Sequence, residues 1–139
     1  KTLEEDPNIL VANGMAEIET VNEFKDPNEI KVVFDSNMDA IYFSREPIPS
    51  RSKWGGKLPM WKQVCIIPFR RNYLLEFNKT PQTPLEKVES IDMLRTLENG
   101  KTVRMVRMNN HTLSVDTPED LERVSQLMEN DSLVAHYVI

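Results

Sequence analysis

The chain has 139 residues, 40% of them hydrophobic and 28% charged, with a formal net charge of −5. That composition suits one domain with a core, and its acidity excludes a general nucleic-acid binder or a protein held on an anionic membrane surface. One cysteine and two histidines exclude an internal disulfide framework and a zinc-ligand spacing. No apolar run reaches the roughly 18 residues of a membrane span, and the lone thiol fits a reducing, cytoplasmic setting.

In chain order, "KTLEEDPN" reads as a polar helix end or turn, and "ILVANGMAEI" as a strand with polar interruptions. "EFKDPNEI" is a turn built on Asp26-Pro27-Asn28. "KVVFD" and "AIYFSR" are β-rich runs separated by "SNMD", the pattern of a hairpin with a short loop. Residues 46–59, with three prolines and two glycines, read as an irregular exposed loop. "KQVCIIPF" at 62–69 is a continuous apolar run, as in a strand buried on both faces.

Beyond it the period changes. "RRNYLLEFN" reads as a two-turn helix, and residues 83–100 as the clearest helix in the chain. Thr83 caps it, Pro84 fits its first position, Glu86 completes a capping box and Gly100 ends it. Leu85, Val88, Ile91, Leu94 and Leu97 predict its buried stripe. "KTVRMVRM" alternates like a half-buried strand. A last helix, with the same start signal in Thr117, Pro118 and Asp120, buries Leu121, Val124 and Leu127 or Met128 and is followed by a tail with an apolar end. A hairpin followed by alternating helices and strands makes the chain α/β.

Several groups are candidates for chemistry. The cations Arg45, Arg51, Lys53, Lys57 and Lys62 cluster in and beside the 46–59 loop, with Glu46 as the only anion. Such a loop either meets a carboxylate or phosphate or is simply solvated. Trp54, beside Gly55-Gly56, is either a lid or a plug on the core. Glu86, Glu89 and Asp92 follow one side of a helix as caps and a wet face, or as acceptors for a polyhydroxylated ligand. His111 and His136 read as surface residues, and Cys65 as a small core residue. Asp116 stands between a strand end and a helix start, where α/β sheets gather ligands. It either bonds turn amides or holds Mg²⁺ beside phosphate oxygens.

Three stretches carry a joint pattern: "IKVVFDSNMDAIYFSREPIP" at 30–49, "TPLEKVESIDMLRTLENG" at 83–100 and "SVDTPEDLERV" at 114–124. Together they resemble the C-terminal half of the CMP-Kdo synthetases (3-deoxy-manno-octulosonate cytidylyltransferases). The resemblance implies a partial nucleotide-diphospho-sugar-transferase-like, Rossmann-like sheet with a β-hairpin arm and flanking helices. Residues 1–139 are then expected to be the acceptor-binding and dimerisation half of a cytidylyltransferase domain, with the N-terminal nucleotide-binding half missing and the fragment inactive alone. The implied activity, in lipopolysaccharide biosynthesis, is Mg²⁺-dependent transfer of CMP from CTP to a 2-keto sugar acid, by a homodimer with no nucleic-acid or membrane partner. By the same resemblance Asp116 is a metal ligand, Arg45 a catalytic and acceptor-contacting cation, and Gln63 and Asp92 acceptor contacts. The family's "R-H-x-G-I-Y-x-Y" strand is "KQVCIIPF" here; Gln63 replaces a histidine, and Ile67 and Phe69 replace two tyrosines. Those changes keep a phosphonate or other anionic acceptor open as an alternative, beside a non-catalytic dimerisation module.

Overall fold

The computed structural model describes residues 1–53, 59–108, 115, 117–129, 131–132 and 136. Its centre is a five-stranded sheet of β1 (Ala12–Ile18), β2 (Lys31–Phe34), β3 (Ala40–Ser44), β4 (Met60–Val64) and β5 (Arg104–Arg107), in the order β3-β2-β4-β1-β5. β1 pairs antiparallel with β4, from Gly14↔Val64 to Ile18↔Met60, and parallel with β5, from Ala12↔Arg104 to Met15↔Arg107. Flanked on both sides, β1 is buried at every position but Glu17, which explains why its sequence lacks clean alternation.

β2 and β3 form the expected hairpin. Its turn is built on Asp35, whose Oδ1 accepts from the amides of Asn37 and Asp39, both at 2.9 Å, while Met38 takes a positive φ of 66°. The tip then reaches across to β5. Ala40 N donates to Val103 O (2.9 Å), Met105 N donates to Met38 O (2.7 Å), and Arg104 Nε meets Asp39 Oδ1 at 2.7 Å. The two edges of the sheet are thereby joined at one end.

The strand expected over 62–69 is shortened. β4 stops at Val64, and Ile66 N folds back onto Val64 O (2.7 Å). Cys65 is exposed, correcting its assignment to the core, and Ile66 is 55% exposed. The segment still follows β1 irregularly, because Gly14 N and Ala12 N take the carbonyls of Ile66 and Pro68 at 3.0 Å each.

Of the helices, α1 (Thr2–Glu5) and α2 (Val21–Lys25) are short. α2 occupies part of the expected 23–30 turn because Thr20 Oγ1 accepts Glu23 N at 3.1 Å. α3 (Arg71–Lys79) buries Tyr73 and Phe77 against the sheet core of Val11, Met15, Phe43 and Met105. The single helix expected over 83–100 is two, α4 (Pro84–Glu89) and α5 (Met93–Glu98). Ser90 ends α4 in the left-handed region, with φ 55° and ψ 47°. The break resets the stripe: Ile91, Met93 and Leu94 are buried, whereas Val88 is 82% exposed and Leu85 39%. Glu86 Oε2 accepts Thr83 N (3.2 Å), and the carboxylate of Glu98 takes Leu85 N at 3.1 Å, so part of the N-terminal capping comes from α5. α6 (Pro118–Met128) starts as expected on a Thr117–Asp120 capping box. Its predicted apolar stripe is not covered by the described residues, with Leu121 57%, Leu127 55% and Met128 53% exposed. Among the described residues no helix is long and apolar enough to cross a membrane.

α4 and α5 are clamped by a buried ion pair. Arg95 Nε donates to Glu86 Oε2 (2.8 Å), Nη2 reaches Glu86 Oε1, and Nη1 donates to the carbonyls of Phe77 and Thr80, both at 3.1 Å. The guanidinium also lies 4.3 Å from the Phe77 ring centroid. Hydrogen bonds from Arg95 hold the Glu86 carboxyl below its ordinary value of 4.5. A lowered carboxyl pKa contributes stability above the ordinary value and loses it as pH falls through the lowered one. Glu86→Gln, which leaves Arg95 without its counter-charge, is expected to cost about 3 kcal/mol at neutral pH in denaturant titrations of the full-length protein. The gap to wild type should narrow only below the ordinary carboxylate range.

Candidate functional site

Of the sequence-predicted residues, Arg45 and Asp92 lie at the exit of β3 and the α4–α5 junction. Ser44 is the last residue of β3, so Arg45 leaves the sheet directly beside the C-terminus of α4. Its guanidinium is held by three carbonyls: Nε to Glu89 O (2.7 Å), Nη1 to Pro27 O (2.9 Å) and Nη2 to Ser90 O (3.2 Å). The last carbonyls of a helix have no partner within it, and a cation there also complements the helix dipole. Arg45 thus caps α4 from outside. Three of its five N–H groups are engaged, and two remain.

Asp92 follows two residues after Ser90. It is exposed at the start of α5, with buried Ile91 and Met93 on either side. It makes no side-chain cap bond and borders a shallow depression with Gln82, Glu86, Lys87, Ser90 and Ile91. Arg45 and Asp92 are therefore brought to one junction.

Gln63 lies two strands in, on β4, and is 8% exposed. Its Nε2 donates to Asn13 Oδ1 at 2.6 Å, and Asn13 Nδ2 donates to Gly14 O (2.7 Å) and Val64 O (2.9 Å). A buried amide must find partners, and this one is tied across β1 and β4. Asn13 was not singled out in the sequence; a polar residue inside a strand pattern was its only signal. Ile67 is half-buried, and Phe69 packs on the core, 6.1 Å from the Tyr73 ring and 5.4 Å from that of Phe77.

Glu89, read from sequence as one member of an acidic face, is instead half-buried and heavily used. Its Oε1 accepts from Ser44 Oγ (2.8 Å) and Tyr42 Oη (3.3 Å), and its Oε2 from Arg45 N (2.9 Å). Burial, and then the charge of Glu89, push the Tyr42 phenol up, so Tyr42 remains a donor. The alternation of "YFSR", which puts Tyr42 and Ser44 on one face of a strand, was the legible signal for this cluster.

The basic loop is less free than its composition implies. Lys62 is 4% exposed and meets Glu23 Oε1 at 2.5 Å and Glu29 Oε1 at 3.0 Å. Burial pulls its ammonium down, but the hydrogen bonds it donates to Glu23 and Glu29 more than offset this and leave it raised. Arg51 and Lys53 are exposed. Trp54, Gly55, Gly56, Lys57, His111 and Asp116 lie outside the described residues, so the lid and metal-ligand expectations fall there; His136 is exposed. Among the described residues no three His, Cys, Asp or Glu side chains group in a way that could hold a metal ion.

The fold is a mixed α/β sheet whose hairpin strand ends against a broken helix, and residues 1–103 match the family model of the cytidylyltransferases. The chain belongs to the cytidylyltransferase family. In particular it is similar to 3-deoxy-manno-octulosonate cytidylyltransferases. It is 44% identical to that of Solibacter usitatus over 89% of this chain and 49% of the relative. With that of Geobacter sulfurreducens it shares 39% identity over 91% and 55%, and with that of Fusobacterium nucleatum 35% over 96% and 54%. A CMP:2-keto-3-deoxy-manno-octonic acid synthetase solved in complex with CTP superposes with a TM-score of 0.83 at 34% identity, covering 92% of this chain and 52% of that one. The fold is thus that of the nucleotide-sugar-transferase-like synthetases, and the chain spans about half the length of the relatives it matches.

The Asn13–Gln63 pair gives a direct test of the strand contact beneath this site. Asn13→Leu is expected to lower the stability of the full-length protein by about 2 kcal/mol, because it orphans Gln63 and two carbonyl partners. The double change Asn13→Leu with Gln63→Leu should recover part of that loss, read as denaturation midpoints in a double-mutant cycle.

Proposed function

We propose that residues 1–139 are the acceptor-binding and dimerising half of a Mg²⁺-dependent cytidylyltransferase. That enzyme transfers CMP from CTP to a Kdo-like 2-keto sugar acid, with release of pyrophosphate. The observation that carries this reading is the match to a synthetase complexed with CTP, at 34% identity over 92% of the chain.

In this reading the anomeric hydroxyl of the acceptor attacks the α-phosphate of CTP. Such chemistry depends on positioning and on neutralising charge. Arg45 contributes a cation fixed by three carbonyls, so its remaining N–H groups are pre-oriented for the acceptor carboxylate. Asp92, exposed and without a side-chain cap bond, accepts hydrogen bonds from acceptor hydroxyls. Gln63 contributes an amide in the sheet floor, held in orientation by Asn13. Asp116 would hold Mg²⁺, and one protein carboxylate suffices because that ion takes its other ligands from water and substrate phosphates. The bound ion would neutralise charge on the phosphate oxygens. The enzyme would work as a soluble cytoplasmic homodimer.

The test uses the full-length protein. Asp116→Asn is expected to lower CMP transfer by about 100-fold or more at limiting Mg²⁺, and Arg45→Met to raise the acceptor KM with little change in that of CTP. Wild-type transfer rates in Asp116→Asn at limiting Mg²⁺ would remove the metal role.

A further inference from the structure

We propose that Glu89 is a positioning residue for the acceptor: it locks the exit of β3 to the end of α4, so that Arg45 and Asp92 address one ligand. This rests on the cytidylyltransferase reading above and deepens it.

Residues 45 and 89 are joined twice, each by its own side chain to the other's backbone. Glu89 Oε2 accepts the amide of Arg45 at 2.9 Å, and Arg45 Nε donates to the carbonyl of Glu89 at 2.7 Å. Two opposed bonds between the same pair fix both distance and relative orientation, which a single bond leaves free to swivel. Further anchors bracket the pair. Ser44 Oγ and Tyr42 Oη donate to Glu89 Oε1, and Arg45 Nη2 to Ser90 O. Ser44 Oγ also accepts Glu46 N at 3.0 Å, so the hydroxyl ties the chain after the strand to the same carboxylate.

The clasp is needed because α4 has six residues, too few to hold its own C-terminus in place. The next residue, Ser90, sits in a left-handed conformation that a non-glycine residue adopts at a cost. Beyond it Ile91, Met93 and Leu94 lock into the core and leave Asp92 outside. The place of Asp92 relative to Arg45 is thus set by the core on one side and by Glu89 on the other. Glu89 itself is enclosed by donors of this chain, so its role is exerted through Arg45.

The experiment measures CMP transfer by the full-length protein, with Kdo and CTP varied separately, for wild type, Glu89→Gln, Arg45→Met and the double variant. Glu89→Gln keeps the shape but places an amide NH₂ among donors. The acceptor KM should rise about tenfold, the change expected when one charge-assisted bond is lost, while the CTP KM stays within about twofold. Adding Glu89→Gln to Arg45→Met should raise the acceptor KM little further, because both act through the same guanidinium. If Glu89→Gln fails to fold, Tyr42→Phe with Ser44→Ala removes the two hydroxyl donors and should give a smaller rise of the same kind. An active wild type with an unchanged acceptor KM in whichever of these variants folds overturns the role of Glu89 and leaves the enzyme reading standing. Equal rises for both substrates, or full additivity with Arg45→Met, overturn it as well. A wild type that transfers no CMP to Kdo overturns the enzyme reading, and this inference with it.

Discussion

A helix that stops must find donors for its last carbonyls, and in this chain that requirement shapes everything around the candidate site. α4 ends after six residues, and the carbonyls of Glu89 and Ser90 are answered by Arg45, which follows the end of β3 and lies 44 residues before Glu89. The same guanidinium reaches Pro27 O, so one cation joins the β3 exit, the helix break and the loop before β2. That donor set meets the break from outside, while the left-handed Ser90 and the buried Ile91 and Met93 define it from within and leave Asp92 exposed between them.

The same economy governs the other cations. Several of the 17 lysines and arginines are held by buried or half-buried partners. Lys62 sits between Glu23 and Glu29, Arg95 is closed by Glu86, and Arg70 gathers the carbonyls of Leu3, Asp6 and Ile9. Lys31 has no exposed surface at all; its ammonium donates to the carbonyls of Asp26 (2.8 Å) and Glu29 (2.6 Å), and burial pushes its pKa down. Buried charges persist only where hydrogen bonds replace the lost water. Here most replacements are backbone carbonyls of loops and helix ends, so these cations tie neighbouring helices, strands and loops together.

This explains which features the sequence disclosed. The hairpin was legible because its two runs and its Asp35 turn are local. So were the alternation of β5 and the capping box of α6. The helix break was not, because Thr83, Glu86 and Gly100 mark the outer ends of one long pattern, and nothing within 88–92 announces a stop. The donor that permits it lies far away in the chain. Cys65 and Ile66 looked like core for a similar reason: apolar character alone does not say where a strand bends away from its partner. In α6 the apolar stripe is present but uncovered by the described residues, so period alone predicted burial that they do not supply. At the site, the residue types of Arg45 and Asp92 were readable, but the dependence of one on the other through Glu89 is a property of three dimensions.

The contact between the hairpin tip and β5 carries a further implication, for the order in which the molecule assembles. Asp39 and Arg104 are 65 positions apart, and the chain between them contains β3, β4 and the three helices α3, α4 and α5. A local β-turn closes on a microsecond scale, whereas distant pairing waits on the entropy of a large loop. The hairpin is therefore an early unit, and its fastening to the far edge is a late one. Until that seam closes, the backbone groups of both margins at that end of the sheet are left without each other.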